Sequence, residues 1–151
     1  MAFTHYTVKK IVHGLGAIKQ APAEVKNLKG SKAFIVTDPG LAKIGVQKPL
    51  EDALTAGGIE WKLYAEAQLE PSMDSIQHCS DEAKAFGADV IIGFGGGSSM
   101  DCAKATAARI AKPHQSLAQM KGILKVHKKL PLLIAIPTTA GTGSETTLAA
   151  V

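Results

Sequence analysis

The sequence predicts an α/β fold with a largely parallel sheet and helices on both of its faces. Two observations carry that expectation. Short apolar, β-branched runs alternate with longer stretches of helical periodicity, the pattern of successive βα units. Most of these runs also end in turn chemistry, as at Asp38-Pro39-Gly40 and Gly95-Gly96-Gly97, so each strand feeds its helix through a short loop. At 151 residues and 46% hydrophobic composition the chain can bury a sizeable core. Residues 1–151 are read as one domain.

Taken in order, a turn at His13–Ala17 leads into a helix beginning near Ala17. Ala33 to Thr37 is the first strand, stopped by Asp38-Pro39-Gly40. From Leu41 to Gly58 apolar residues recur at helical spacing, and the interruption at Pro49 predicts two consecutive helical pieces. A second strand covers 59–65, and Ser72 or Asp74 caps a helix over 74–86 that Gly87 ends. The third strand, 89–94, runs through the glycines into an alanine-rich helix over 99–111, in which Asp101 complements the helix dipole at the third position. A short helix near 117–121, with Gly122 and the lysines in loop, precedes a last strand over 130–136 and a polar loop from Pro137 to Thr147. The expected architecture is Rossmann-like: right-handed βαβ units on a parallel sheet, with ligands bound outside the carboxyl ends of the strands.

The glycine turn carries the most chemistry. A buried strand, Val90-Ile91-Ile92, runs through Gly95-Gly96-Gly97-Ser98 onto a helix, which offers free backbone N–H groups and a positive helix end to an anion. Glycines let a phosphate touch the main chain and tolerate positive φ. A tight turn without ligand remains the alternative. Asp38, at a strand end, can accept hydrogen bonds from a ribose hydroxyl or serve only as a turn residue. The loop from Pro137 to Thr147 is dense in hydroxyls and suits phosphate or amide recognition, or is an ordinary polar loop.

Several classes are disfavoured. The net charge of +4 comes from scattered lysines, with Lys9-Lys10 and Lys128-Lys129 the adjacent pairs, and aromatic residues make up 5%, so no nucleic-acid surface is expected. Cys79 and Cys102 form neither a CxxC motif nor a disulfide framework, and reduced thiols in the cytoplasm are expected. Neither secretion nor membrane spanning is expected, since the N-terminus lacks a basic region followed by an apolar stretch and no segment approaches 18 uninterrupted apolar residues. The five histidines share no ligand spacing and are read as surface residues. Gly14 and Gly16 lack the third glycine of the dinucleotide fingerprint, since position 19 is Lys. P-loop and nucleophile-elbow patterns are absent, and neither Asp101 nor Glu145 is marked out as a general base.

Val36-Thr37-Asp38-Pro39-Gly40-Leu41, then Gly95-Gly96-Gly97-Ser98-Ser99-Met100-Asp101-Cys102-Ala103-Lys104, then Ile136-Pro137-Thr138-Thr139-Ala140-Gly141-Thr142-Gly143-Ser144-Glu145 occur in this order. This series resembles the amino-terminal domain of the iron-containing (group III) alcohol dehydrogenases. The resemblance implies an α/β dinucleotide-binding domain, followed in the family by a helical domain whose Asp and three His hold the metal. It implies NAD as cofactor and hydride transfer between a small alcohol and its aldehyde or ketone. By the same resemblance Asp38 meets the adenosine ribose, and Gly96, Gly97 and Ser98 meet the pyrophosphate. Thr138, Thr139 and Thr142 face the phosphate or ribose on the nicotinamide side, and Thr147 is a weaker candidate near the nicotinamide.

Pro71 matches a family proline, whereas Glu70 stands where many relatives carry Asn, which leaves the adenine-side contact open. The sequence reaches Val151 before any of the family's metal ligands. No catalytic or metal-binding residue is therefore assigned here; iron or zinc is expected only in a full-length protein, and the 151-residue chain alone is expected to be inactive. A glycerol dehydrogenase, a dehydroquinate synthase and a stand-alone nucleotide-sensing module stay open as alternatives. The expected partner is a small alcohol or aldehyde, with no nucleic acid and no membrane; assembly into a homo-oligomer stays open.

Overall fold

The computed structural model describes residues 8–120 and 130–147. Four strands follow from the apolar runs: β1 (Lys32–Val36), β2 (Glu60–Tyr64), β3 (Val90–Gly95) and β4 (Leu132–Pro137). All pair in parallel in the order β2-β1-β3-β4, with Ile35 beside Leu63 on one side and Ile92 on the other, and Ile92 beside Ile134. Central β3 is buried along its whole length, as a strand covered on both faces must be.

The helices are α1 (Ala21–Asn27), α2 (Pro39–Ile44), α3 (Lys48–Ala56), α4 (Met73–Phe86), α5 (Gly97–Ala111) and α6 (Leu117–Met120), with a 3-10 turn at Ala17–Gln20. Strand side chains alternate between faces, so the sheet makes two cores. On one face Val25 of α1 and Leu50 and Leu54 of α3 cover Ala33, Ile35, Val90 and Ile92. On the other, Cys79 and Ala83 of α4 and Cys102, Ala103 and Ala107 of α5 cover Phe34, Val36 and Ile91. Each fully buried leucine or isoleucine contributes about 1.5–3 kcal/mol. The small residues of α5 let that helix come close: a Cβ at Gly93 of β3 would lie 3.0 Å from the Ala103 Cβ and 3.1 Å from the Met100 Cα.

The doubly wound α/β class stands, with local corrections. Pro49 does not break a helix; it lies in the first turn of α3, where its missing N–H costs nothing, and α2 ends at Gly45 instead. The first helix starts as the 3-10 turn and becomes α-helical at Ala21. Ser72, not Asp74, caps α4 by accepting from the Ser75 N–H at 3.1 Å. The expected helix near 117–121 is α6, while Gly122, Lys128 and Lys129 lie outside the described residues. Cys79 and Cys102 are free and buried between α4 and α5, and the hydrogen bond between their thiols, together with burial, pushes the Cys79 thiol up.

Asp89 fastens the start of β1 to the start of β3. Its carboxylate accepts from the Ser31 N–H at 2.9 Å, the Lys32 N–H at 2.8 Å and the Ser31 hydroxyl at 2.8 Å. Burial opposes the charge, but these donors outweigh it and hold the carboxyl below its usual range. A depressed carboxyl stabilises the fold above the unfolded-state value of about 3.9 and ceases to do so as pH falls through the folded-state value. Asp89→Asn is therefore expected to cost about 1 kcal/mol at pH 7, a modest figure for charge-assisted bonds at a partly exposed site. Urea denaturation of both proteins should show this gap at pH 7 and its narrowing as the pH falls below the unfolded-state value of about 3.9; a gap that does not change with pH refutes the assignment.

Candidate functional site

Because every strand runs the same way, the four carboxyl ends share one edge of the sheet. The chain leaves β1 for β2 on one side and then crosses back over β1 to β3, so the direction of winding reverses between β1 and β3. A crevice opens at such a point. Asp38 follows β1 and the glycine turn follows β3, which puts both on its rim.

Gly95, the last residue of β3, has φ +145°, and a Cβ there would lie 2.6 Å from the Ser99 Oγ. Glycine is required at this point. Gly96 and Gly97, by contrast, lie outside the positive-φ region, so positive φ is needed only at Gly95 of the three. Helix α5 begins at Gly97, two residues earlier than the sequence spacing indicated, which places Gly97 and Ser98 in its first turn. Asp101 is consequently the fifth residue of α5, not the third, and no acidic residue stands in that turn to complement the dipole. While α2 and α4 have side-chain caps, the N-cap of α5 is Gly96, and among the described residues no side chain bonds to its first N–H groups. An uncapped helix start of this kind offers donors and partial positive charge to an anion.

The loop after β4 folds over the turn. The Thr138 N–H donates to the Gly95 carbonyl at 2.9 Å, extending the β3–β4 pairing by one step. A Cβ on Gly96 would lie 3.4 Å from Thr139 Oγ1; one on Gly97 would lie 3.4 Å from Ser144 Oγ and 3.7 Å from Thr142 Cβ. Gly96, Gly97, Thr138, Thr139 and Thr142 are thus brought together. The Thr142 hydroxyl donates to Glu145 at 3.4 Å.

The other expected site residues are placed differently. Asp38 caps α2, one carboxylate oxygen accepting from the Leu41 N–H at 2.9 Å, while the Leu41 side chain abuts Gly95. The cap explains the Asp-Pro-Gly sequence by itself and leaves the second oxygen of Asp38 for a ligand. Ser98 donates its hydroxyl to the Leu69 carbonyl, in the loop after β2. Thr147 accepts from Lys104 Nζ at 2.9 Å, on the α5 side of the loop.

Sequence reasoning overlooked Asp101, Lys104 and Ser144 as one unit: Asp101 accepts from Lys104 at 3.1 Å and from the Ser144 hydroxyl at 3.0 Å. No sequence signal announces a contact between side chains 43 positions apart. It also passed over a helical spacing, since His78 lies one turn from both Asp74 and Glu82. Lys62 engages Glu82 at 2.7 Å, and the His78 ring stands 3.8 Å from Glu66. His13, His78 and His114 are exposed, and His5 and His127 lie outside the described residues. Among the described residues no three His, Cys, Asp or Glu side chains converge on a metal position, and no helix is long and apolar enough to cross a membrane.

A parallel sheet wound on both faces, with a glycine turn feeding an uncapped helix where the winding reverses, defines a Rossmann-like α/β domain. The chain belongs to the iron-containing alcohol dehydrogenase family, whose model matches residues 8–151, and it corresponds to that family's amino-terminal domain. It is 74% identical over 148 residues to sulfoacetaldehyde reductase from Bilophila wadsworthia (strain 3_1_6), covering 97% of this chain and 38% of that protein. It is 34% identical over 140 residues to NAD-dependent methanol dehydrogenase from Bacillus methanolicus, covering 93% of this chain and 36% of the relative. The structure of alcohol dehydrogenase from Oenococcus oeni superimposes with a TM-score of 0.90 at 30% identity, covering 97% of this chain and 38% of that one. The chain thus spans less than two fifths of these relatives. The described residues do not form a site for the family's iron.

The turn yields a stability contrast. Gly95→Ala should cost about 1–3 kcal/mol, because it forces a Cβ into a positive φ and onto Ser99. Gly97→Ala, with ordinary φ and a contact at van der Waals range, should cost less than about 1 kcal/mol. Thermal denaturation followed by circular dichroism compares the two, and equal losses would contradict the assigned geometry.

Proposed function

We propose that this chain is the NAD-binding domain, residues 1–151, of an alcohol–aldehyde oxidoreductase whose substrate is sulfoacetaldehyde or a close sulfonated analogue. The observation that carries the nucleotide reading is the uncapped start of α5, with glycine at its N-cap and first position and threonine hydroxyls across from it. A Cβ at Gly96 or Gly97 would press against that loop, so glycine at both positions keeps the main-chain N–H groups of the turn close to the loop hydroxyls. The NAD dependence of the methanol dehydrogenase from Bacillus methanolicus supports NAD, and the 74% identity to sulfoacetaldehyde reductase supports the substrate class. Bound NAD supplies the hydride acceptor or donor.

The chain's own residues bind and orient. Main-chain N–H groups at Gly96, Gly97 and Ser98 hold the pyrophosphate, and the free carboxylate oxygen of Asp38 accepts from the adenosine ribose. Thr138, Thr139 and Thr142 hold the nicotinamide-side phosphate or ribose, with Thr147 nearer the nicotinamide. The metal and the substrate pocket belong to the rest of the full-length protein, which works in the cytoplasm; the 151-residue chain by itself should neither turn over alcohols nor retain stoichiometric iron or zinc.

Asp38 sets the cofactor preference. Its carboxylate would repel a 2′-phosphate by about 1–4 kcal/mol at a separation of about 4 Å, depending on the effective dielectric, so NAD should bind more tightly than NADP. Asp38→Gly should narrow that gap while the chain stays folded, since replacing a cap residue by glycine costs only a few tenths of a kcal/mol. Calorimetric titration with both nucleotides decides it, and equal affinities in the wild type would remove the role given to Asp38.

For the substrate, the full-length enzyme should reduce sulfoacetaldehyde with a kcat/KM at least about tenfold above that for acetaldehyde, a difference of about 1.4 kcal/mol in transition-state binding. NADH oxidation followed by absorbance measures both. A preference for the unsulfonated aldehyde would overturn the substrate class and leave the nucleotide assignment standing.

A further inference from the structure

We propose that Cys79 and Cys102 are a latent redox staple, two thiols held together so that hydrogen peroxide oxidises them to a disulfide that ties α4 to α5. The pair lies in the core between the two helices, and the proposal does not depend on the nucleotide reading. Cys79 is in the middle of α4 and Cys102 in the first half of α5. Both are 0% exposed, in the core that covers one face of the sheet.

The residues that α4 buries are Cys79, Ser80 and Ala83, and Cys102, Ala103 and Ala107 of α5 enter the same core. Side chains this small let two helices approach closely, and a disulfide needs its Cβ atoms about 3.5–4.5 Å apart. The two sulfurs are already in contact, since the Cys79 S–H donates to the Cys102 sulfur. That hydrogen bond holds the Cys102 thiol below its ordinary value although burial opposes it. Cys102 is therefore the sulfur that attacks the oxidant, and Cys79 the one that resolves the product.

The chemistry takes two steps. The Cys102 sulfur attacks one oxygen of hydrogen peroxide, the O–O bond breaks, and Cys102 becomes a sulfenic acid while the other oxygen leaves as water. The Cys79 sulfur then attacks the Cys102 sulfur, the S–O bond breaks, and the oxygen leaves as a second water with the proton from Cys79. Two thiols thus give up two electrons, and one peroxide becomes two waters. Because both sulfurs are buried, the oxidant enters only when α4 lifts locally from α5, which makes the first step slow. The second is fast by comparison, because the resolving sulfur is at hand and closes the disulfide before further oxygen can add. The new bond closes a loop that contains the end of α4, all of β3 and the glycine turn, and it restricts the unfolded chain more than the folded one.

The chain carries two cysteines, so its disulfide chemistry can be read without interference. The 151-residue chain should be treated with hydrogen peroxide and analysed by non-reducing peptide mapping and thermal denaturation. The expected product is a monomer lighter by two hydrogens, with the peptides bearing Cys79 and Cys102 joined and a Tm raised by at least about 5 °C. Dithiothreitol should return both mass and Tm to their starting values. Cys79→Ala, which keeps a small apolar side chain in the core, should show no gain in Tm and should instead take up oxygen at Cys102. Thiols that stay free in the folded chain, products confined to sulfinic or sulfonic acids, a cross-link between two copies, or a disulfide that lowers Tm would each overturn the proposal. So would an equal gain in Tm for Cys79→Ala. Should that variant fail to fold, the peptide map and Tm of the wild type decide the matter by the same criteria.

Discussion

The close approach of α5 to β3 is the constraint on which the rest of the molecule depends. Gly93 leaves no room for a side chain between the strand and Met100 and Ala103, so the helix lies against the sheet at the distance set by main chain. From that position α5 completes one of the two cores through Cys102, Ala103 and Ala107. The strand must then reach the helix in a very short span, which forces the positive φ at Gly95 and leaves glycine at the N-cap. A core requirement and the free N–H groups of the turn therefore have one origin. Packing has already fixed the helix, so an anion arriving there requires little reorganisation.

Much of this was legible in the sequence because it is local. The Val90–Ile92 run, the glycines after it and the alanine-rich stretch beyond are each signals of short range, and together they place a strand, a turn and a helix. Boundaries were less legible, for a physical reason visible at Gly97. Intrinsic preference argues against glycine inside a helix, yet the strand fixes the start of α5 and overrides it. Pro49 shows the converse, since the same residue that breaks a helix interior starts one at its first turn. The strand order, and with it the crevice between β1 and β3, depends on which side of β1 the chain crosses, and no local pattern encodes that.

The site was legible to the extent that single residues carry it. Glycines, hydroxyls and the strand-end aspartate could each be picked out from their chemistry, and the ordered motifs tied them to a family. What joins them could not. Ser98 bonded to Leu69 and Ser144 bonded to Asp101 are contacts between segments far apart in the chain, whereas the Asp38 cap and the Asp101–Lys104 pair are local contacts that depend on where each helix starts. Asp101 illustrates the difference: placed two residues too far toward the helix start, it looks like a dipole partner, and in its actual position it anchors a loop.

The bond from Ser98 to Leu69 carries a further consequence. A serine hydroxyl has one proton to give, and here the Leu69 carbonyl takes it. Any ligand oxygen that draws on the same proton must release that carbonyl, and the released carbonyl needs water or another donor in its place. A ligand held by the main-chain N–H groups of the turn alone leaves that proton where it is, so the tether on the segment that follows β2, Glu70 included, yields only to a ligand oxygen that takes the Ser98 hydroxyl itself.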